Sequence, residues 1–268
     1  MSHPKDILNL TVRKKTISLV RENVTIWYKF SLVKGINQKG KGKQKRLQKL
    51  LNSICLQFEN FRTESSSADL LLNKIYTLDS CQNIPSESSK NQPIHEKMVR
   101  NAIDQAKDQK VAEIIKNLEA CITDLTWRED KFEFYPQGSN LGARYCESNL
   151  HTQIIGPKGS LIQTKDLMVG LFTLGSWTLY RDHHHEAPEL YLNLSEKSAW
   201  RFNFGEWQNH CAGSLIWNPG MQTHATICYE KPFLAVFAWL ESVNSVCEVV
   251  ASDDHLLIEE QLYTLSMA

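Results

Sequence analysis

The sequence predicts a mainly β fold, a sandwich or barrel, preceded by a helical region. Three observations predict it. The residue texture changes near Trp127: before it apolar residues recur at helical spacing, and after it short β-rich runs alternate with Gly, Pro, Asn and Asp. Those later runs have the length and spacing of strands in an all-β unit. Third, Tyr180–Tyr191 packs three histidines, two glutamates and two tyrosines into twelve residues, with His183, His185, Glu189 and Tyr191 all at odd positions. On an extended chain, side chains two apart share a face.

Taken in order, apolar positions in 5–32 mix helical and strand periods, and we read the segment as helix. Residues 34–46, with three glycines, read as a loop. Leu47, Leu50, Leu51, Ile54, Phe58 and Phe61 then fall on one helical face. A short helix follows over 67–78, with Ser67 or Asp69 as cap. Residues 80–93 are Ser-, Asn- and Pro-rich and read as an exposed connection. Helix resumes over about 94–106 and 109–122. Strands are expected over 131–135, 151–155, 167–180, 188–194, 199–204, 213–217, 223–228 and 232–240, and a helical tail over 252–268. The expected division is a helical region at 1–122, a β domain at 123–250 and a C-terminal tail at 251–268.

Composition bounds the function. Of 268 residues, 42% are hydrophobic and 22% charged, which supports a packed core and argues against global disorder. Net charge is zero, but residues 1–50 hold thirteen Lys and Arg against Asp6 and Glu22 alone. Such a run is more often a solvated face or a contact to the acidic remainder than a nucleic-acid arm, so no nucleic-acid partner is expected. The seven cysteines are scattered, with no Cys-x-x-Cys pair, against a disulfide framework or zinc ribbon. No apolar run approaches the roughly 20 residues of a membrane span, and the N-terminus lacks the apolar core of a secretory signal. We expect a cytoplasmic protein without a membrane partner, monomeric or homodimeric.

Two imidazoles and a carboxylate on one strand face make a metal-ligand set, with His184 facing away. Downstream, Pro219-Gly220 marks a turn and His224 opens the next strand run, placed to complete the set from an opposing strand. These motifs, His183-x-His185-x3-Glu189 and Gly213-x5-Pro219-x4-His224, resemble the two motifs of the cupin superfamily. The resemblance implies a double-stranded β-helix, or jelly roll, with His183, His185, Glu189 and His224 on one divalent metal (Zn, Fe, Mn, Co or Ni). Three positions depart from the pattern: the glycine before the first cluster, Gly175, lies two residues further upstream, Glu196 replaces the first motif's usual terminal Gly, and Cys228 the second motif's Asn. None removes a ligand.

Tyr180-x4-His185-x3-Glu189-x-Tyr191, then Pro219-Gly-Met-x-x-His224-Ala, then Trp239, further resembles the cupin-type dimethylsulfoniopropionate (DMSP) lyases. The resemblance covers about residues 120–245. It implies a lyase that splits DMSP, a sulfonium carboxylate, into dimethyl sulfide and acrylate by β-elimination. Tyr191, two residues past Glu189, matches the family's base position. A phenol near pKa 10 is too weak a base at neutral pH unless a nearby cation favours its ionised form. Tyr180 is expected to bind the substrate carboxylate or assist proton transfer. For the sulfonium, aromatic faces are the natural partner, and Trp239, Trp207 and Phe204 are candidates. Two other readings fit the same ligand set: a cupin dioxygenase, and a non-catalytic cupin that binds a small ligand.

Overall fold

The computed structural model describes residues 41–78, 91–130, 132–157 and 160–268. The helix expected over 5–32 and most of the connection at 80–93 lie outside them. Four helices come first: α1 (Lys41–Glu59), α2 (Ser66–Thr77), α3 (Pro93–Gln105) and α4 (Ala112–Glu119), followed by a 3-10 turn at Ile122–Asp124. The α1 stripe read from the sequence is its buried face: Leu47, Leu50, Leu51, Ile54 and Phe58. The helix starts at Lys41, so the loop expected over 34–46 ends earlier. Ser65, and neither Ser67 nor Asp69, caps α2, accepting from the Ala68 N–H at 3.2 Å. Among the described residues no helix is long and apolar enough to cross a membrane.

A short helix, α5 (Ala143–Ser148), leads into the β region, whose eleven strands are β1 (Asn149–Gly156), β2 (Ile162–Gln163), β3 (Met168–Leu174), β4 (Thr178–His184), β5 (Glu189–Asn193), β6 (Lys197–Phe202), β7 (Gln208–Cys211), β8 (Leu215–Asn218), β9 (His224–Cys228), β10 (Phe233–Trp239) and β11 (Glu248–Val249). They form a six-stranded sheet, β2-β1-β3-β10-β5-β8, and a five-stranded sheet, β11-β4-β9-β6-β7. The tail forms α6 (His255–Met267).

The period-two rule explains how the six-stranded sheet is buried on both faces. In β10, Phe233, Ala235, Phe237 and Trp239 point into the space between the sheets, while Leu234, Val236 and Ala238 point outward. In β5, Glu189 and Tyr191 sit opposite Trp239 and Phe237 in register, while Leu190 and Leu192 point outward. The outward set shares one apolar core with α1–α4. One inward position of β3 has no side chain. A Cβ on Gly170 would meet the Phe237 ring at 2.6 Å and Thr152 O at 2.0 Å, so only glycine lets that ring lie across the strand.

Two sequence expectations change. Of the run expected as a strand over 131–135, the described residues 132–135 form a bend: Asp130 accepts the Glu133 N–H at 2.9 Å. The run 167–180 is two strands in different sheets, β3 and β4, joined by a turn at Gly175–Trp177 with Trp177 in the left-handed region.

Candidate metal centre and cavity

Three strands bring the site together. β4 carries His183, the connection after it carries His185, β5 opens on Glu189, and β9 opens on His224, which pairs with His183 in register. The Pro219–Met221 turn docks on the connection between β4 and β5: Met221 N–H donates to His185 O at 2.8 Å, and a Cβ on Gly220 would strike Glu186 O at 2.5 Å. That close approach sets the start of β9 beside His185. All four side chains are buried.

Each histidine has one ring nitrogen tied to a backbone carbonyl two residues away. His183 Nδ1 donates to Arg181 O at 2.8 Å, His185 Nδ1 to Ala187 O at 2.8 Å, and His224 Nδ1 to Gln222 O at 2.9 Å. A carbonyl only accepts, so each Nδ1 carries a proton, which leaves Nε2 as the atom each ring can offer to a metal. Burial, followed by the neighbouring His224 and His185, holds the His183 imidazole well below its ordinary range, in keeping with a neutral ring. The three imidazoles offer ligand atoms within 4.8 Å of one another. Glu189 Oε2 lies 3.3 Å from His185 Nε2 and 3.5 Å from His224 Nε2. The Nε2 atoms of two rings thus face one carboxylate oxygen, and His224 Nε2 is buried without a hydrogen-bond partner. A divalent cation is what this donor set fits.

The Glu189 carboxylate is held from both neighbouring strands. Trp239, opposite it on β10, donates its indole N–H to Oε1 at 2.9 Å. Asn218, opposite it on β8, donates Nδ2–H to Oε2 at 3.2 Å. The Trp239 ring also stacks on His185 at 4.6 Å. Its contacts are thus with two of the four side chains of the cluster.

His183, His185, Glu189, Tyr180, Tyr191 and Trp239 line one cavity. Tyr180 has an even number, and a regular strand would turn it away from His183. A register shift between Tyr180 and His183 in the β4–β9 pairing inserts a bulge, and both side chains face inward. Tyr180 stacks on His183 at 4.1 Å, and its hydroxyl lies 2.5 Å from that of Tyr135. Burial pushes the Tyr191 phenol well above its ordinary value, and the Glu189 charge adds to the shift. Tyr180 is pushed up likewise by burial.

Trp207 and Phe204 are not in the cavity. Asn203 and Phe204 both take left-handed backbone and turn the chain out of β6, leaving Phe204 47% exposed. Trp207 lies on the outer face of the five-stranded sheet, under the Arg201 guanidinium at 4.8 Å. The cavity is completed by residues that the sequence did not single out, among them Asp130, Phe134, Tyr145, His151 and Phe172. Most of these come from the loop and helix before β1 and from β1 itself. Their only sequence signal is aromatic and acidic residues just after the texture break.

Two sheets, antiparallel except for the parallel β1–β2 pair, packed over an inward cluster of three histidines and a glutamate, form the cupin double-stranded β-helix. A family model described as dimethylsulfoniopropionate lyase matches residues 66–235, more than half of the chain. The chain belongs to that family. A curated relative, dimethylsulfoniopropionate lyase DddQ of Ruegeria pomeroyi, is 26% identical over 103 residues, 38% of this chain and 51% of the relative. The match therefore spans about half the length of that relative. A crystal structure from work on the DMSP lyases RdDddP and RnDddQII is similar in fold, with a TM-score of 0.60 at 16% identity over 78% of this chain and 100% of that one. The crystal structure of DddQ from Ruegeria pomeroyi DSS-3 gives 0.59 at 19% identity over 77% and 96%.

Proposed function

We propose that the protein is a metal-dependent lyase that cleaves DMSP to dimethyl sulfide and acrylate, with a tyrosine as base. The observation that carries the reading is that Tyr191 and Tyr180 line one cavity with His183, His185 and Glu189 of the cluster, in a chain of the DMSP lyase family. His183, His185, His224 and Glu189 would hold the ion. A divalent cation there supplies positive charge that neutralises the substrate carboxylate and favours an ionised phenol beside it.

The chain's own residues do the rest. The proton to be removed lies α to a carboxylate and is weakly acidic, so the base must stand beside the reacting carbon. Tyr191 follows Glu189 by two residues on the same face of β5 and accepts that proton. Tyr180, stacked on His183, orients the carboxylate end. As the proton leaves, the Cβ–S bond breaks and the sulfonium departs as neutral dimethyl sulfide. Burial and Glu189 keep the Tyr191 phenol protonated unless a cation offsets them, so the lyase requires metal. The test is a headspace assay for dimethyl sulfide from purified protein and DMSP, with and without chelator. Dimethyl sulfide that appears only without chelator is expected; none in either arm would overturn the reading.

A further inference from the structure

We propose that Asp130 and the rings around it form the subsite for the cationic end of the ligand. The identity of that ligand rests on the lyase reading above. DMSP is a zwitterion: its carboxylate belongs with the histidine and glutamate cluster, which leaves a dimethylsulfonium to be held elsewhere in the cavity. A sulfonium has no N–H or O–H to donate. Negative charge and aromatic faces are the means of recognising it.

Two carboxylates line the cavity, Glu189 and Asp130. Glu189 is committed to the histidines, Trp239 and Asn218. Asp130 is 5% exposed. Its Oδ1 accepts from the Glu133 N–H at 2.9 Å, and its Oδ2 from the Tyr145 hydroxyl at 3.2 Å. Among the described residues no Lys or Arg pairs with it. His151, on the same wall, has its Nε2 3.5 Å from Glu133. Burial pushes the Asp130 carboxyl above its ordinary value, with His151 acting the other way, and a bound cation favours its ionised form. Phe134, Tyr145 and Phe172 line the cavity with it. Two stacked rings separate Asp130 from the ligand cluster: Tyr145 stacks on Tyr180 at 4.4 Å, and Tyr180 on His183 at 4.1 Å. The cavity is therefore divided along its length, with a cation-seeking cluster at one end and a buried carboxylate among aromatic rings at the other. Trp239, the sequence-based candidate for the sulfonium, has its indole N–H at the Glu189 end.

The test compares two unreactive ligands of one shape. The first, 3-(trimethylammonio)propanoate, is cationic at the far end; the second, 4,4-dimethylpentanoate, is its uncharged isostere. Calorimetry on the metal-loaded, full-length protein is expected to show roughly tenfold tighter binding of the cation, about 1.4 kcal/mol. In Asp130→Asn, whose side chain still accepts the backbone N–H, that ratio is expected to fall toward one while the isostere's affinity stays. A ratio that Asp130→Asn leaves unchanged, or a wild type that binds both alike, overturns the subsite. If that variant fails to fold, Phe172→Leu replaces it and is expected to lower the ratio about threefold; an unchanged ratio there overturns the subsite as well. Headspace dimethyl sulfide is read separately. A protein that discriminates through Asp130 but releases none keeps the subsite and sinks the lyase reading.

Discussion

Replacing Tyr191 with Phe removes one oxygen and leaves the ring packed against Trp200 at 4.9 Å. If Tyr191 is the base, turnover falls by at least about a hundredfold, while metal content by elemental analysis stays at the wild-type level. Near-normal turnover would move the base role to Tyr180. Trp239→Phe separates two roles of one side chain: the stacking partner of His185 is kept and the N–H on Glu189 is lost. Metal affinity is expected to weaken roughly tenfold, read by competition with a chelator. At this scale the sequence was legible where side chains follow a regular strand. Glu189 and Tyr191 share a face of β5, and His184, as expected, points away toward Glu248 at 3.6 Å. It was opaque where the backbone breaks the rule, as at the bulge that turns Tyr180 inward. It was opaque also where the partner is distant, as with Asp130 and Tyr145, which come to the cavity from outside the motif.

The strand that carries Tyr180 and His183 is held from behind by a charge network. Between them, Asp182 is fully buried and receives Arg201 Nε–H at 3.1 Å and the His255 ring at 2.8 Å, while Arg181 forms a two-pronged pair with Glu259 at 2.7 and 2.8 Å. His255 and Glu259 belong to α6, whose buried residues are His255 and Leu262 alone. Charge pairs therefore dock this helix more than apolar packing does. Arg201→Met should cost about 3–5 kcal/mol in urea unfolding, because it leaves the Asp182 carboxylate buried without its main partner. A loss under about 1 kcal/mol would show that water reaches Asp182. The tail was readable as helix from Leu256, Leu257, Ile258 and Leu262, but not its mode of docking. Arg181 and Asp182 look like solvated residues in the sequence, and only the bulge and the helix behind it bury them. The run 131–135 misled for a related reason: Phe132, Phe134 and Tyr135 have strand composition, yet the Asp130 side chain bonds the backbone locally and outcompetes a ladder.

Over the whole molecule, apolar material divides among three places: between α1–α4 and the six-stranded sheet, between the two sheets, and under α6. The middle one lines the candidate site, and its buried titratable groups are expected to make stability depend on pH and on a bound metal. His183 stays neutral in the folded chain, because burial lowers its pKa below the ordinary 6.5. As pH falls below about 6.5, the unfolded chain takes up a proton that the folded chain does not, so the metal-free protein loses stability in that window. Stability that stays flat from pH 7.5 to 5.5 would contradict a neutral buried ring. At pH 7 the same ring is free to take a cation, and an ion that binds only the folded chain stabilises it by mass action. With free metal at about a hundred times its dissociation constant, the gain is about 2.7 kcal/mol. For a chain of this length that raises the unfolding midpoint by roughly 5–10 °C. Chelator should reverse the rise. His224→Ala, which removes the buried Nε2 that has no protein partner, should abolish it even where the variant folds normally. A variant that still gains the full shift would place the ion elsewhere and take His224 out of the ligand set.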